Sequence, residues 1–353
     1  MKNIFNCFGK DKIGEPPYEY NFLVNLPESG YPKYLKKIYK YRTGENLNLK
    51  HPKTFNEKIQ WIKLYGVTQL MRDCTDKVKV RDYVKEKIGE EYLKPVLQII
   101  PNESKETMRC HCEQVNNNSG LARQSTDGSN DKMDCRADIK MTLSARNDGE
   151  LDDVSTYFDK IDFDKLPDSF VIKTNHGCKW HCIIKNKQKL LQNKKLFEKL
   201  KNKFNGWLEQ EFWVFEGFEL NYKNLEHKIF IESYMPSFRY IQVFCFNGIP
   251  KIYADIQLEN ETKICTYNED FSYSDLVLKK EDREFMQKFP ADKILKQTFD
   301  LSKILAENFN FVRVDWIVFN NSLKFEELTF TPYSGFSEIE EKWNRKLGDF
   351  LNL

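Results

Sequence analysis

The stretch FVRVDWIVFNNSLKFEELTFTPYSGF, residues 311–336, reads as two β-strands joined by a tight turn, yet it sets Arg313, Asp315 and Glu327 among apolar residues. A charge inside such a surface is costly unless something pairs with it. Register decides what can. With strands at 311–319 and 323–330 and "NNS" as a three-residue loop, Phe319 faces Leu323, Ile317 faces Phe325, Asp315 faces Glu327 and Arg313 faces Thr329. All these side chains then share one face, because side chains alternate along a strand. Two opposed carboxylates repel and call for a cation, and oxygen-only ligands suit Mg²⁺, above all where phosphates complete its shell. A two-residue loop would instead set Asp315 against Glu326 and turn Glu327 to the other face. The plainer alternative is a partly exposed ion pair with Arg313.

The rest of the chain is that of an ordinary globular protein: 353 residues, 40% hydrophobic, 31% charged and a net charge of +2. That length allows two or three domains and a large core. So small a net charge gives no reason to expect a nucleic acid or a membrane surface as partner. The 27 Phe, 17 Tyr and 6 Trp suit large cores and flat ring-binding pockets. The opening MKNIFNCFGKDKIG has no apolar run of signal-peptide length, and no segment approaches the ~18 apolar residues of a membrane span. The expectation is a cytoplasmic protein whose nine cysteines are mostly free thiols.

Elements and boundaries follow from periodicity. TFNEKIQWIKLY begins with Thr54 and Glu57 in capping-box spacing and repeats apolar residues at Phe55, Ile59 and Ile62, predicting a helix. DKVKVRDYVKEKIG predicts a second, ending near Gly89, and YLKPVLQII reads as a short buried strand. Residues 102–152 are rich in Ser, Asn, Asp, Arg and Gly without sustained period, which predicts a disordered insertion. Beyond it, FVIKTNHGCKWHCIIKNK reads as strand, loop, strand. A helix over about 188–210 precedes three strands in HKIFIESYM, YIQVFCFNG and PKIYADIQL, the last two joined at the turn signal FNG. Helices over 281–289 and 292–308 lead into the opening hairpin. The class is α+β, divided as a helical and mixed region 1–101, the insertion 102–152, and two lobes at 153–235 and 236–353.

Three further clusters invite chemistry. In VIKTNHGCKWHCIIK, Lys173 ends a β-rich run and the turn at Gly177 can offer backbone N–H groups to phosphate oxygens. The same stretch holds His176, Cys178, His181 and Cys182, close enough for zinc but without the separated pairs of a zinc finger. Cys110, His111, Cys112 and Cys135 form a second such group within the polar insertion. Asp162 and Asp164 make an Asp-x-Asp pair of the kind that binds metal in nucleotide-sugar glycosyltransferases, though here it runs into a turn, where Asp is common for local reasons. No Ser-His-Asp arrangement or dinucleotide-binding glycine fingerprint is present.

Taken in order, TFNEKIQWIKLYG, DKVKVRDYVKEKIGEEYLKP, FDKIDFDKLPDSFVIKTNHG, VFCFNGIPK, FNFVRVD and EELTFTPYSGF resemble the TupA-like ATP-grasp family of polysaccharide and teichuronopeptide biosynthesis. The resemblance runs over roughly 50–100 and 153–353. It implies an ATP-grasp fold, in which two lobes with antiparallel sheets grip a nucleotide. It also implies a ligase that activates a carboxylate as an acyl phosphate and passes it to an amine. The carboxylate expected is a uronic-acid sugar of a capsule or cell-surface polysaccharide. Carried over, Asp315 and Glu327 look like the Mg²⁺ ligands, which selects the three-residue loop, and Arg313 would steady the transferred group. Lys173 and Lys77 would meet the phosphates of ATP. The loop at 175–181, with His176 and Gly177, would close over them, and Glu232, Ser233, Tyr234 and Met235 would present backbone groups to adenine. The chain departs from the family where Tyr240-Ile241-Gln242 replaces an Asp-Tyr-Lys run, removing a lysine, and where Lys179 and Trp180 stand in a loop that is glycine-rich elsewhere. Those departures keep open a non-catalytic nucleotide- or partner-binding homologue, and behind it the glycosyltransferase.

Overall fold

A computed structural model describes residues 19–101, 157–258 and 261–353. The expected disordered insertion at 102–152 and the cluster of Cys110, His111, Cys112 and Cys135 lie outside those residues. Two antiparallel sheets organise the rest. The first has the order β1-β4-β2-β3, from β1 (Val96–Pro101), β2 (Phe170–Thr174), β3 (His181–Ile184) and β4 (Lys228–Ser233). The second has the order β7-β6-β5-β8-β9, from β5 (Arg239–Phe246), β6 (Ile249–Gln257), β7 (Lys263–Asn268), β8 (Phe311–Phe319) and β9 (Ser322–Thr329). The first sheet thus takes its edge strand from the segment N-terminal to residue 102.

The hairpin β8–β9 departs from the expected loop and from the expected pairs Phe319 with Leu323 and Ile317 with Phe325, but keeps Asp315 against Glu327 and Arg313 against Thr329. Phe319 pairs with Ser322, so the turn is the two residues Asn320 and Asn321, with φ values of 47° and 60°. Positive φ at both central positions is what a turn matching the twist of the strands requires, and Asn tolerates it. Such a loop alone would set Asp315 against Glu326. Instead the register shifts between Asp315 and Trp316: Trp316 pairs with Phe325, and Asp315 with Glu327. Glu326 is the extra residue of a β-bulge, which restores the opposition of the two carboxylates.

One face of the second sheet is core. Val312, Val314 and Trp316 are buried in a cluster with Leu295 and Leu305 of the helix Lys293–Ala306, and Trp316 Nε1 donates to Ser302 Oγ at 2.9 Å. The other face carries Arg313 and Asp315. The capping box at Thr54 and Glu57 forms as expected, but the α-helix it starts covers only Phe55–Trp61 and passes into a π-helical turn, Ile62–Gly66. Against its start packs the helix Glu341–Phe350, where a Cβ on Gly348 would stand 2.2 Å from the Lys53 carbonyl oxygen. Only glycine allows that approach.

Three expectations need correction. No α-helix covers 281–289; a 3₁₀ turn, Lys280–Phe285, without a buried residue stands there, because KEDREF offers no apolar stripe to bury. The helix over 188–210 is two, Lys187–Gln192 and Lys194–Glu209, divided where the Asn193 side chain accepts from Leu196 N–H; that cap starts a new helix. The strand from YLKPVLQII is not buried: β1 lies at the sheet edge, with Ile100 at 5% and Ile99 at 47% exposure. Helices Tyr31–Thr43 and Gln69–Thr75 and strand β7 have no counterpart in the sequence reading.

Candidate active site

The structure sets Gln242, Asp315 and Glu327 side by side across β5, β8 and β9. Arg313 lies among them. Its Nε and Nη2 donate to Asp315 Oδ1 and Oδ2 at 2.7 and 2.5 Å, and Nη2 also donates to Thr329 Oγ1 at 3.1 Å. Glu327 Oε1 lies 3.6 Å from the same nitrogen and accepts from Thr329 Oγ1 at 3.0 Å. The two sequence alternatives therefore coexist: the carboxylates face each other, and the arginine bridges them. Asp315 is buried, whereas the Glu327 side chain is 34% exposed. Burial raises the Asp315 carboxyl to about 7, with Arg313 pulling it back. Asp315, Glu327 and the Thr329 hydroxyl form an oxygen-only donor set, the kind Mg²⁺ takes. Among the described residues no group of three or more His, Cys, Asp or Glu could hold a metal. Two carboxylates suffice for Mg²⁺, which keeps several waters and shares substrate phosphates.

Lys173, on β2, enters a network the sequence did not reveal. Its Nζ stands 2.6 Å from Glu232 Oε1 and 2.9 Å from Glu326 Oε1. Lys94 Nζ stands 2.7 Å from the same Glu232 oxygen and also pairs with Glu326 Oε2. Two lysines and two glutamates thus alternate around a square joining the sheets. The sequence reading had Glu232 to Met235 offering backbone groups to adenine. Glu232 instead sits within the central strand β4, paired on both sides with Val96 and Val171, and its side chain holds the lysines. Ser233 N–H donates to the Pro95 carbonyl at 2.9 Å. Tyr234 and Met235 follow the strand end, half-buried.

The loop after β2 is held from below by Asp76 and Lys77. Lys77 Nζ donates to the Gly177 carbonyl at 2.5 Å, its N–H donates to Asn175 O at 3.2 Å, and Asn175 Nδ2 donates to Asp76 Oδ2 at 2.8 Å. Burial lowers the Lys77 pKa while Glu327 opposes it, which places Lys77 within electrostatic reach of the carboxylate pair. Gly177 has a packing reason as well. A Cβ there would meet Trp180 ring atoms at 2.4 Å. His176 is buried, stacked on His227 at 3.6 Å between ring centroids, and its ring nitrogens contact Asn175 Oδ1 and the Trp207 carbonyl. That occupation, with Cys182 disulfide-bonded, argues against zinc here; the other described cysteines are free. Asp162 and Asp164 do not act as a pair. Asp162 caps the 3₁₀ turn Phe163–Lys165 and lies 2.9 Å from Lys165 Nζ, and Asp164 is exposed.

His181 pairs with Lys173 across β2–β3, and burial, helped by Lys173, lowers its pKa from 6.5 to about 4. The unfolded chain takes up this proton near 6.5 and the folded chain only near 4. Stability is therefore fully present above 6.5 and lost as pH falls from there to 4, by up to about 3 kcal/mol. His181→Gln is expected to flatten this dependence in urea midpoints measured at pH 4.5 and 7; an unchanged slope would assign it elsewhere.

The sequence model of the TupA-like ATP-grasp family matches residues 117–352. The match begins inside the polar insertion and leaves out the helices of residues 55–61 and 80–88, which carried part of the resemblance. No curated protein matches the chain. Among solved structures, D-alanine–D-alanine ligase from Coxiella burnetii is 12% identical over 84% of this chain and 63% of its own, with a TM-score of 0.37. The ATP-grasp ligase PsnB complexed with a minimal precursor is 8% identical over 80% and 62%, at 0.32. N5-carboxyaminoimidazole synthetase from Staphylococcus aureus complexed with ADP is 12% identical over 81% and 54%, at 0.33. This chain spans less than two thirds of the length of each.

Proposed function

The chain belongs to the TupA-like ATP-grasp family, and from that premise we propose an ATP- and Mg²⁺-dependent ligase. It joins a carboxylate to an amine, the carboxylate being a uronic-acid sugar of a capsule or cell-surface polysaccharide. The observation carrying this reading is the bulge that brings Asp315 and Glu327 opposite each other beside Arg313. A structural ion pair alone needs no second carboxylate, and Glu327 keeps its side chain partly open to solvent.

In the proposed reaction a carboxylate oxygen attacks the γ-phosphorus of ATP and ADP leaves. The amine then attacks the acyl carbon, inorganic phosphate departs, and the amine loses a proton to give the amide. The protein's contribution is placement and charge. Lys173 and Lys77 would meet the phosphate tail, and the Arg313 guanidinium can donate two parallel hydrogen bonds to a carboxylate or an acyl phosphate. Asp315 and Glu327 would hold Mg²⁺, which would offset the negative charge of the phosphates. Gln242, paired with Asp315, offers a neutral amide in the place of a lysine. Among the described residues no helix is long and apolar enough to cross a membrane; action in the cytoplasm, where ATP is supplied, belongs to the same proposal.

The test is ADP release against a matrix of nucleotide-linked uronates and small amines, with Mg²⁺ present. Release that requires both a carboxylate and an amine supports the ligase. Two observations favour a second reading: the Arg313–Asp315 chelate and the neutral Gln242 suit a protein that binds nucleotide without turnover. Calorimetric binding of Mg·ATP with no release across the matrix would decide for it.

A further inference from the structure

The square of Lys94, Lys173, Glu232 and Glu326 has a consequence for nucleotide binding. Three of its members are anchored on the first sheet side: Lys173 on β2, Glu232 on β4 and Lys94 just before β1. The fourth, Glu326, reaches across from β9 as the bulge residue of the hairpin. The side chains of Lys94, Lys173 and Glu232 are 8%, 11% and 3% exposed, and that of Glu326 is 30% exposed. Glu326 is therefore the member that can swing into solvent without stranding a buried charge of its own. Lys77 and Arg81 join the square in lining one small cavity, which sets four basic groups against two acidic ones. Such a cavity suits an anion with more charge than one carboxylate.

We infer that Glu326 occupies a phosphate subsite of the nucleotide-free protein, bridging Lys94 and Lys173 until the phosphate tail of the nucleotide displaces it. The inference rests on the nucleotide-binding reading above and adds Lys94 as a phosphate contact and Glu326 as its built-in competitor. Exchange keeps both lysines paired, because phosphate oxygens take the hydrogen bonds the carboxylate gives up. It also makes ligand binding and release of the contact between the two sheets a single event, since Glu326 belongs to one sheet and its partners to the other.

The experiment is titration calorimetry of Mg·ADP, inorganic tripolyphosphate and adenosine on the full chain and on Glu326→Gln. Removing the competing charge is expected to tighten Mg·ADP and tripolyphosphate roughly tenfold and to leave adenosine unchanged. Wild-type binding with equal or weaker affinity in the variant overturns the competitor role and leaves the nucleotide site standing. Tightening of adenosine as well also overturns it, since the substitution then acts through the fold. No binding of Mg·ADP by either protein overturns both readings. Should Glu326→Gln fail to fold, Lys94→Gln with and without Glu326→Gln supplies the same comparison, because the double variant leaves one lysine against one glutamate. Tightening on adding Glu326→Gln is again the expected result, and its absence is the contrary one.

Discussion

Glu327→Gln is expected to lower ADP release by roughly 10²- to 10³-fold while leaving the urea unfolding midpoint close to that of the unaltered chain. The asymmetry follows from where the two carboxylates sit. Glu327 is half-buried, and its one close hydrogen bond comes from the Thr329 hydroxyl, which an amide oxygen can also accept. Losing its charge therefore costs the fold little and costs a divalent cation one of two anionic ligands. Asp315→Asn should abolish activity as fully but does so less cleanly. Arg313 is buried against Asp315 through two hydrogen bonds, and removing the charged partner of a buried pair costs about 3–5 kcal/mol. Full ADP release by Glu327→Gln at saturating Mg²⁺ would remove the metal assignment. An unchanged unfolding midpoint in Asp315→Asn would show instead that Glu327, 3.6 Å from Arg313 Nη2, compensates the guanidinium by itself.

Lys63→Met is expected to cost about 3–5 kcal/mol of stability, read as a fall in the urea midpoint. Lys63 is fully buried, and Nζ donates to the Glu216 carbonyl at 3.1 Å, the Ser334 carbonyl at 3.0 Å and Ser334 Oγ at 2.8 Å. Burial pushes its pKa down to about 7, with Glu219 pulling the other way. Gln60 Nε2 donates to the carbonyls of Ser334 and Gly335, both at 2.9 Å. These bonds hold the segment just after the hairpin, where Tyr333 and Ser334 adopt left-handed conformations with φ of 51° and 53°. Non-glycine residues stay there only when their surroundings enforce it. Methionine fills the volume but removes the three hydrogen bonds to Glu216 and Ser334 and takes a cation from beside the buried Glu219. Tyr333 lies within electrostatic reach of Arg313 and Asp315, so activity should fall with stability. A midpoint within experimental scatter of the unaltered chain would mean that water replaces the ammonium.

The hairpin shows how much was legible and how a wrong step reached the right pairing. A three-residue loop was expected and a two-residue turn with a bulge is found; the two errors of register cancel at Asp315 and Glu327. The bulge had left a trace in the sequence. Leu323, Phe325 and Leu328 are the buried residues of the second strand, and Phe330 just past its end is buried too, so they fall as the pairs Leu323, Phe325 and Leu328, Phe330. The step between the pairs is three where strict alternation gives two. That slip of phase marks one extra residue, and it falls on Glu326 and Glu327. The side chain of Glu232 has a partner set the sequence did not reveal: its place in the chain suggested only backbone groups, while two lysines from elsewhere claim its carboxylate.

What the sequence alone determined about this protein is local. Alternation marked the strands of the hairpin, Thr54 and Glu57 marked a helix start, and the spacing of the two hairpin segments limited Asp315 to facing Glu326 or Glu327. Those features need only residues a few positions apart, whose geometry the backbone itself imposes. The tertiary structure decided the rest: that Arg313 bridges the carboxylates, that Lys94 and Lys173 meet Glu232 and Glu326, and that Lys63 supports Ser334. Residues 94 and 326, or 63 and 334, meet only because two sheets and a helix pack together, and a contact between distant segments leaves no period or spacing along the chain.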